Sequence, residues 1–176
     1  MAKITFSKLN LKLNKEVVNV PLTDEITLEV RKYLPQTEKA DLISFVMDYS
    51  IDETTMCFSP IRLETYFSLA IAKYYGNITF TDKQIEDAAK TYDILESNGV
   101  IDKIISAIPR DEFEFIQSAV NDTAEDISRY YNSFAGMLST VTKNTGSIDS
   151  QFTELFEKIK NKEGLEELAA IRDIVG

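Results

Sequence analysis

Residues 59–76 constrain the fold more than any other stretch of the chain. Ser59-Pro60 is a helix start, with serine as N-cap and proline at the first helical position. Apolar residues Ile61, Phe67, Leu69, Ala70, Ile71 and Tyr74 follow, and Gly76 can end the helix in the left-handed conformation. A helix that is apolar around most of its circumference must be covered on all sides. This one is therefore predicted to form the centre of the core, and the rest of the chain must supply the cover.

The cover is predicted to be a β-hairpin and further helices. Val17-Val18-Asn19-Val20 is a β-branched strand, residues 21–25 are a turn cluster, and residues 26–31 alternate apolar and polar with period two. An isolated hairpin is marginal in water, so its apolar face must pack on helices or join another sheet. In residues 4–13, Leu9, Leu11 and Leu13 alternate with Asn10 and Lys12, which predicts an extended arm or an edge strand. After Pro35, Thr37 can cap a helix to about Tyr49 with Ala40, Ile43, Val46 and Met47 inward. Residues 52–58 read as a polar loop.

Thr81 and Gln84 form a capping box, and Ser97-Asn98-Gly99 is a left-handed stop. Residues 100–108 predict a short amphipathic helix. Pro109 opens a long one over about 110–141, with a stripe of Phe113, Ile116, Val120, Ile127, Tyr130, Tyr131, Phe134 and Leu138. A break near Asn121 or Gly136 is possible at that length. Residues 144–147 are the clearest linker. Beyond them lie two amphipathic sets: Phe152, Leu155, Phe156 and Ile159, then Leu165, Leu168, Ala169 and Ile171. The expected fold is α+β and mostly α: an N-terminal β-hairpin on a helical body (1–143) with a helical C-terminal extension (144–176).

Composition excludes whole classes of chemistry. The chain has no histidine and one cysteine, Cys57. A Ser-His-Asp triad, a Cys-His pair and histidine-based zinc sites are therefore impossible. The glycines form no phosphate loop, and no calcium-loop spacing occurs. Asp48, Asp52 and Glu53 read as solvated loop charges rather than a cation site. Adjacent acids such as Glu86-Asp87 and Glu125-Asp126 do not share a helix face, so they are poor catalytic pairs. Cys57, before a helix N-terminus, reads as a small buried side chain. No enzyme activity and no cofactor are expected.

The net charge of −10 repels nucleic acid and anionic lipid, so neither is an expected direct partner. A nucleic-acid mimic would need its carboxylates on one face, and here they are spread along the chain. The N-terminus has no signal-peptide pattern, and no apolar run is long enough to span a membrane. The tyrosine pairs Tyr74-Tyr75 and Tyr130-Tyr131 fit a core ring with its hydroxyl at the rim, with an interface role as the alternative.

The segments 30–35, 77–84, 92–99 and 108–109, with Phe6-Ser7-Lys8-Leu9, are similar to small uncharacterised proteins of tailed phages and prophages of Gram-positive bacteria. The resemblance covers roughly residues 2–141 and fades in the tail. It implies a phage gene product from the virion or its assembly pathway, located in the virion or the bacterial host cytoplasm. It carries no catalytic residue. Expected partners are other phage proteins or further copies of the chain. The expected contact residues are Leu9, Leu11 and Leu13 in the arm and Phe152, Leu155, Phe156, Ile159, Leu165 and Leu168 in the tail. An acidic inhibitor of a host defence protein or enzyme is the alternative.

Overall fold

The computed structural model describes residues 3–23, 25–52 and 58–133. The fold is α+β and mostly helical: an antiparallel hairpin, β1 (Val17–Pro21) and β2 (Thr27–Arg31), followed by six helices. These are α1 (Gln36–Ser50), α2 (Pro60–Tyr74), α3 (Asp82–Glu86), α4 (Ala88–Ser97), α5 (Val100–Ala107) and α6 (Arg110–Asn132). The chain divides into two units, Met1–Arg129 and Tyr130–Gly176. Of the second, only the last turn of α6 and Ser133 are described.

Helix α2 occupies the centre, as its composition requires. Residues 65–72 are buried without interruption. Helix α1 packs on one side, and α4 and α5 cover another. The Phe67 ring meets Phe113 of α6 at 6.0 Å. Helix α6 closes the core with a stripe at four-residue spacing, Ile116, Val120 and Ala124. Full burial of an aliphatic side chain contributes about 1.5–3 kcal/mol, so Ile116 and Val120 each add a share of that size to the stability of the fold.

In the hairpin, Val18 faces Val30 and Val20 faces Leu28 across the ladder. These four residues form the inner face, and α5 packs against both strands. Pro21 ends β1, and Thr23 shapes the turn by accepting hydrogen bonds from the Ile26 and Glu25 amides. The outer face carries Val17, Asn19, Thr27 and Glu29 and is exposed.

Several local signals act as their chemistry requires. Ser59 caps α2 by accepting from the Arg62 amide, and Pro60 is its first residue. Thr81 and Gln84 form the reciprocal box at the start of α3. Gly99 adopts φ +65° between α4 and α5. Helix α6 runs through Asn121 without a break.

Others differ from expectation. Residues 4–13 form no edge strand: Phe6–Leu9 is a single 3₁₀ turn, and Asn10 follows it at φ 49°. That left-handed residue interrupts the alternation that a strand would need. Thr37 lies inside α1, whose N-cap is Pro35, and no side chain caps it. The inward face of α1 is Lys39, Leu42, Phe45, Val46, Met47 and Ser50, while Ala40 is exposed. After α2, the left-handed residue is Asn77 (φ 54°), not Gly76. Gly76 is required for space instead: a Cβ there would lie 2.8 Å from the Ala72 carbonyl oxygen and 2.8 Å from Ile104 Cδ1. The segment after the capping box is two helices, because the chain turns at Asp87 (ψ 48°).

Candidate protein-contact surface

Among the described residues, one cluster of polar side chains is buried. Glu112, in the first turn of α6, takes three donors through its carboxylate. Lys39 Nζ donates to Oε2 at 2.7 Å; the Leu34 amide and the Tyr75 hydroxyl donate to Oε1 at 3.1 Å and 2.9 Å. The Lys39 and Glu112 side chains are 7% and 10% exposed. The Lys39 ammonium also sits over the rings of Tyr33 and Phe115, at 4.5 Å and 4.8 Å. Burial, and then the neighbouring Glu112 carboxylate, push the Tyr75 phenol far above its ordinary value. The Tyr75 carbonyl accepts from the Arg31 amide at 3.0 Å. The cluster therefore ties the hairpin, α1, α2 and α6 together.

This cluster is built for structure. Among the described residues, no buried side-chain nitrogen or oxygen lacks a hydrogen-bond partner. The Tyr75 phenol is held protonated beside a carboxylate that accepts three hydrogen bonds, so the donors and acceptors of the cluster satisfy one another within the fold. Among the described residues, no group of three or more Cys, Asp or Glu is arranged to hold a metal ion. Glu53 and Cys57 lie outside the described residues.

Two open grooves flank the link over residues 78–81. The first, about 460 Å³, is walled by Phe45, Tyr49 and Tyr74, with Phe80 and Ile85 along it. Tyr49 stacks on Tyr66 at 5.2 Å, and Phe45 meets both Tyr49 and Tyr74. Lys73 Nζ lies 4.6 Å from the Phe45 ring centre. At the rim, Arg31 grips Glu38 through both guanidinium nitrogens. The hydrogen bonds from Arg31 hold the Glu38 carboxyl below its ordinary range and raise the guanidinium. The second groove, about 420 Å³, has an apolar floor of Ile78, Phe80, Ile94 and Leu95.

Among the described residues, exposed apolar side chains cluster on the N-terminal arm. Leu9, Leu11 and Leu13, expected from sequence as contact residues, are all exposed, as are Ile4 and Phe6. Phe6 reaches 80% and Leu11 71%. No residue from 3 to 16 is buried. The other expected contact residues, Phe152, Leu155, Phe156, Ile159, Leu165 and Leu168, lie outside the described residues. Of the tyrosine pairs, Tyr75 is fully buried, Tyr74 lines the aromatic groove, and Tyr130 is exposed.

One property of the arm is hidden by the overall charge. Residues 1–15 contain four lysines (Lys3, Lys8, Lys12 and Lys15) and no acidic residue. Residues 16–133 contain 22 acidic residues against ten Lys and Arg. Counting charge by segment would have exposed this. The aromatic groove had no such signal, since its walls come from α1 and α2 and meet only in the fold.

Comparison with protein-family models, curated proteins and solved structures found no match to this chain. Among the described residues, no helix is long and apolar enough to cross a membrane.

Proposed function

We propose that the chain is a non-enzymatic bacteriophage structural or morphogenesis protein that acts through protein–protein contacts, as a virion component or a head or tail assembly factor. The phage setting rests on the sequence resemblance. The contact role rests on one observation: Ile4, Phe6, Leu9, Leu11 and Leu13 are exposed on an arm with no buried residue. Covering one such side chain contributes about 1.5–3 kcal/mol, so a partner that covers all five offsets much of the cost of ordering the arm, about 1–2 kcal/mol per residue. Partners are other phage proteins or further copies of the chain.

The test is the solution mass of the full chain by light scattering across a concentration series, with and without residues 1–14. Mass that rises with concentration, and falls to one chain on arm removal while the melting temperature holds, is the expected result. Association that survives arm removal would refute the arm's role. The acidic surface favours a second reading, an inhibitor that occupies a basic host protein. A strict monomer forming a one-to-one complex with such a protein would select that reading.

A further inference from the structure

We infer that the groove floored by Ile78, Phe80, Ile94 and Leu95 binds a single-chain aliphatic anion of the medium-chain carboxylate class, its tail along the floor and its head at Lys83 and Lys90. The inference goes beyond the assembly reading and does not rest on it.

The floor is built into the fold. Ile78, Phe80 and Leu95 are half-buried and packed against the hydrophobic core, which fixes where they stand. Ile94 beside them is 55% exposed. The space over them, about 420 Å³, falls in the range of roughly 300–1,000 Å³ typical of small-molecule sites. None of the four floor side chains can form a hydrogen bond, so the floor suits an apolar chain.

The polar residues along the groove set the sign of the ligand. Thr81 and Gln84 cap each other at the start of α3, and the Thr91 hydroxyl donates to the Gln84 carbonyl at 2.8 Å. Lys83 of α3 and Lys90 of α4 are not engaged in this way. Both are exposed, and neither ammonium has an ion pair or hydrogen bond among the described residues. Asp87 is the acid that lines the groove with them, so the local balance is positive. The other acids of these two helices, Asp82, Glu86, Asp93 and Glu96, do not line it. Residues 16–133 carry more than twice as many acids as bases, so this positive spot runs against the charge of its surroundings.

Charge and floor together select the occupant. A cationic amphiphile would match the floor but meet two ammoniums. A nucleic acid would match the lysines, leave the floor uncovered and be repelled by the surrounding acids. An aliphatic anion meets both halves: its methylenes leave water on the floor, and its head lies near two ammoniums that act as point charges.

The test is isothermal titration calorimetry of the full chain with octanoate, and with octyltrimethylammonium as a cation bearing the same tail. Two variants locate the site, Lys83→Glu with Lys90→Glu and Ile94→Asn. All three positions are exposed, and circular dichroism checks the fold. Octanoate should bind at one equivalent with a millimolar dissociation constant. Hexanoate should bind more weakly and decanoate more tightly, by about fourfold for each methylene that is buried. The paired lysine reversal should weaken octanoate binding roughly tenfold. Ile94→Asn should flatten the dependence on chain length, and the cation should bind wild type more weakly than octanoate does.

No saturation by about 10 mM octanoate would overturn the inference. Octyltrimethylammonium binding as tightly as octanoate would also overturn it, since the lysines would then select nothing. Octanoate binding indifferent to both variants would place the site elsewhere and overturn the seat. An acidic, leucine-rich peptide that binds at Lys83 and Lys90 where octanoate does not would overturn the small anion and give the groove to a protein partner. None of these results bears on the arm, so the assembly reading stands or falls by its own light-scattering test.

Discussion

Replacing Glu112 by glutamine should destabilise the fold far more than its size suggests, and removing Lys39 as well should restore most of the loss. The amide keeps a carbonyl oxygen for the Leu34 amide and the Tyr75 hydroxyl, which donate at 3.1 Å and 2.9 Å. It cannot balance the Lys39 ammonium, whose side chain is 7% exposed, and its NH₂ sets a donor against a donor. Breaking one partner of a buried ion pair costs about 3–5 kcal/mol. Native domains hold only about 5–15 kcal/mol in reserve. For a unit of this size each kcal/mol is worth about 3–5 °C, so Glu112→Gln should lower the melting temperature by roughly 10–20 °C. In the double variant Lys39→Met/Glu112→Gln the buried cation is gone, and the thioether can lie along the same path between Tyr33 and Phe115. Its deficit should be about 1–2 kcal/mol. Thermal circular dichroism on wild type, both single variants and the double completes the cycle. A Glu112→Gln protein melting within about 3 °C of wild type would refute the argument that the pair holds the elements together. So would a double variant no more stable than the single.

Two further perturbations test the hairpin and its rim. Val30→Asp places a carboxylate at a position with no exposure on the inner face of β2, and should cost several kcal/mol and abolish the cooperative thermal transition; a folded, soluble variant would remove the hairpin from the core. Glu38 has a folded-state carboxyl below its unfolded value, so its contribution is present above the ordinary carboxylate range and is lost as pH falls through the lowered value. The stability difference between wild type and Glu38→Gln, from urea midpoints, should therefore shrink as pH is lowered from about 5 towards 3, and a constant difference would refute the role of Arg31.

The elements legible in the sequence were those fixed by residues next to each other. Ser59 with Pro60, Thr81 with Gln84, and Gly99 each solve a local backbone problem, and each does so where the sequence placed it. Where the neighbourhood was not local, the sequence pointed elsewhere. Lys39 on an amphipathic helix looks like a solvated charge, because its partner Glu112 lies 73 residues away. Its burial rotates the inward face of α1 and leaves Ala40 outside. Gly76 invited a left-handed stop, but Asn77 takes that geometry, and Gly76 is there because Ile104 from α5 approaches it. That approach belongs to the packing of two helices and leaves no trace in the residues around Gly76.

The arm was half legible. Alternating leucines marked residues 9–13 as apolar and unanchored, while the net charge of −10 obscured the lysines among them. The segregation matters because uniform charge and self-association oppose each other. Copies that were acidic throughout would repel wherever they met, and any apolar contact would have to overcome that repulsion. The four lysines sit on a segment with no buried residue from 3 to 16, so under the proposed contact role the arm attracts an acidic surface while the bodies keep their mutual repulsion. Under the proposed contact role, contact through the arm is favoured and contact between acidic bodies is not. Salt should weaken the first and relieve the second, so the salt dependence of association reports which of the two holds copies together.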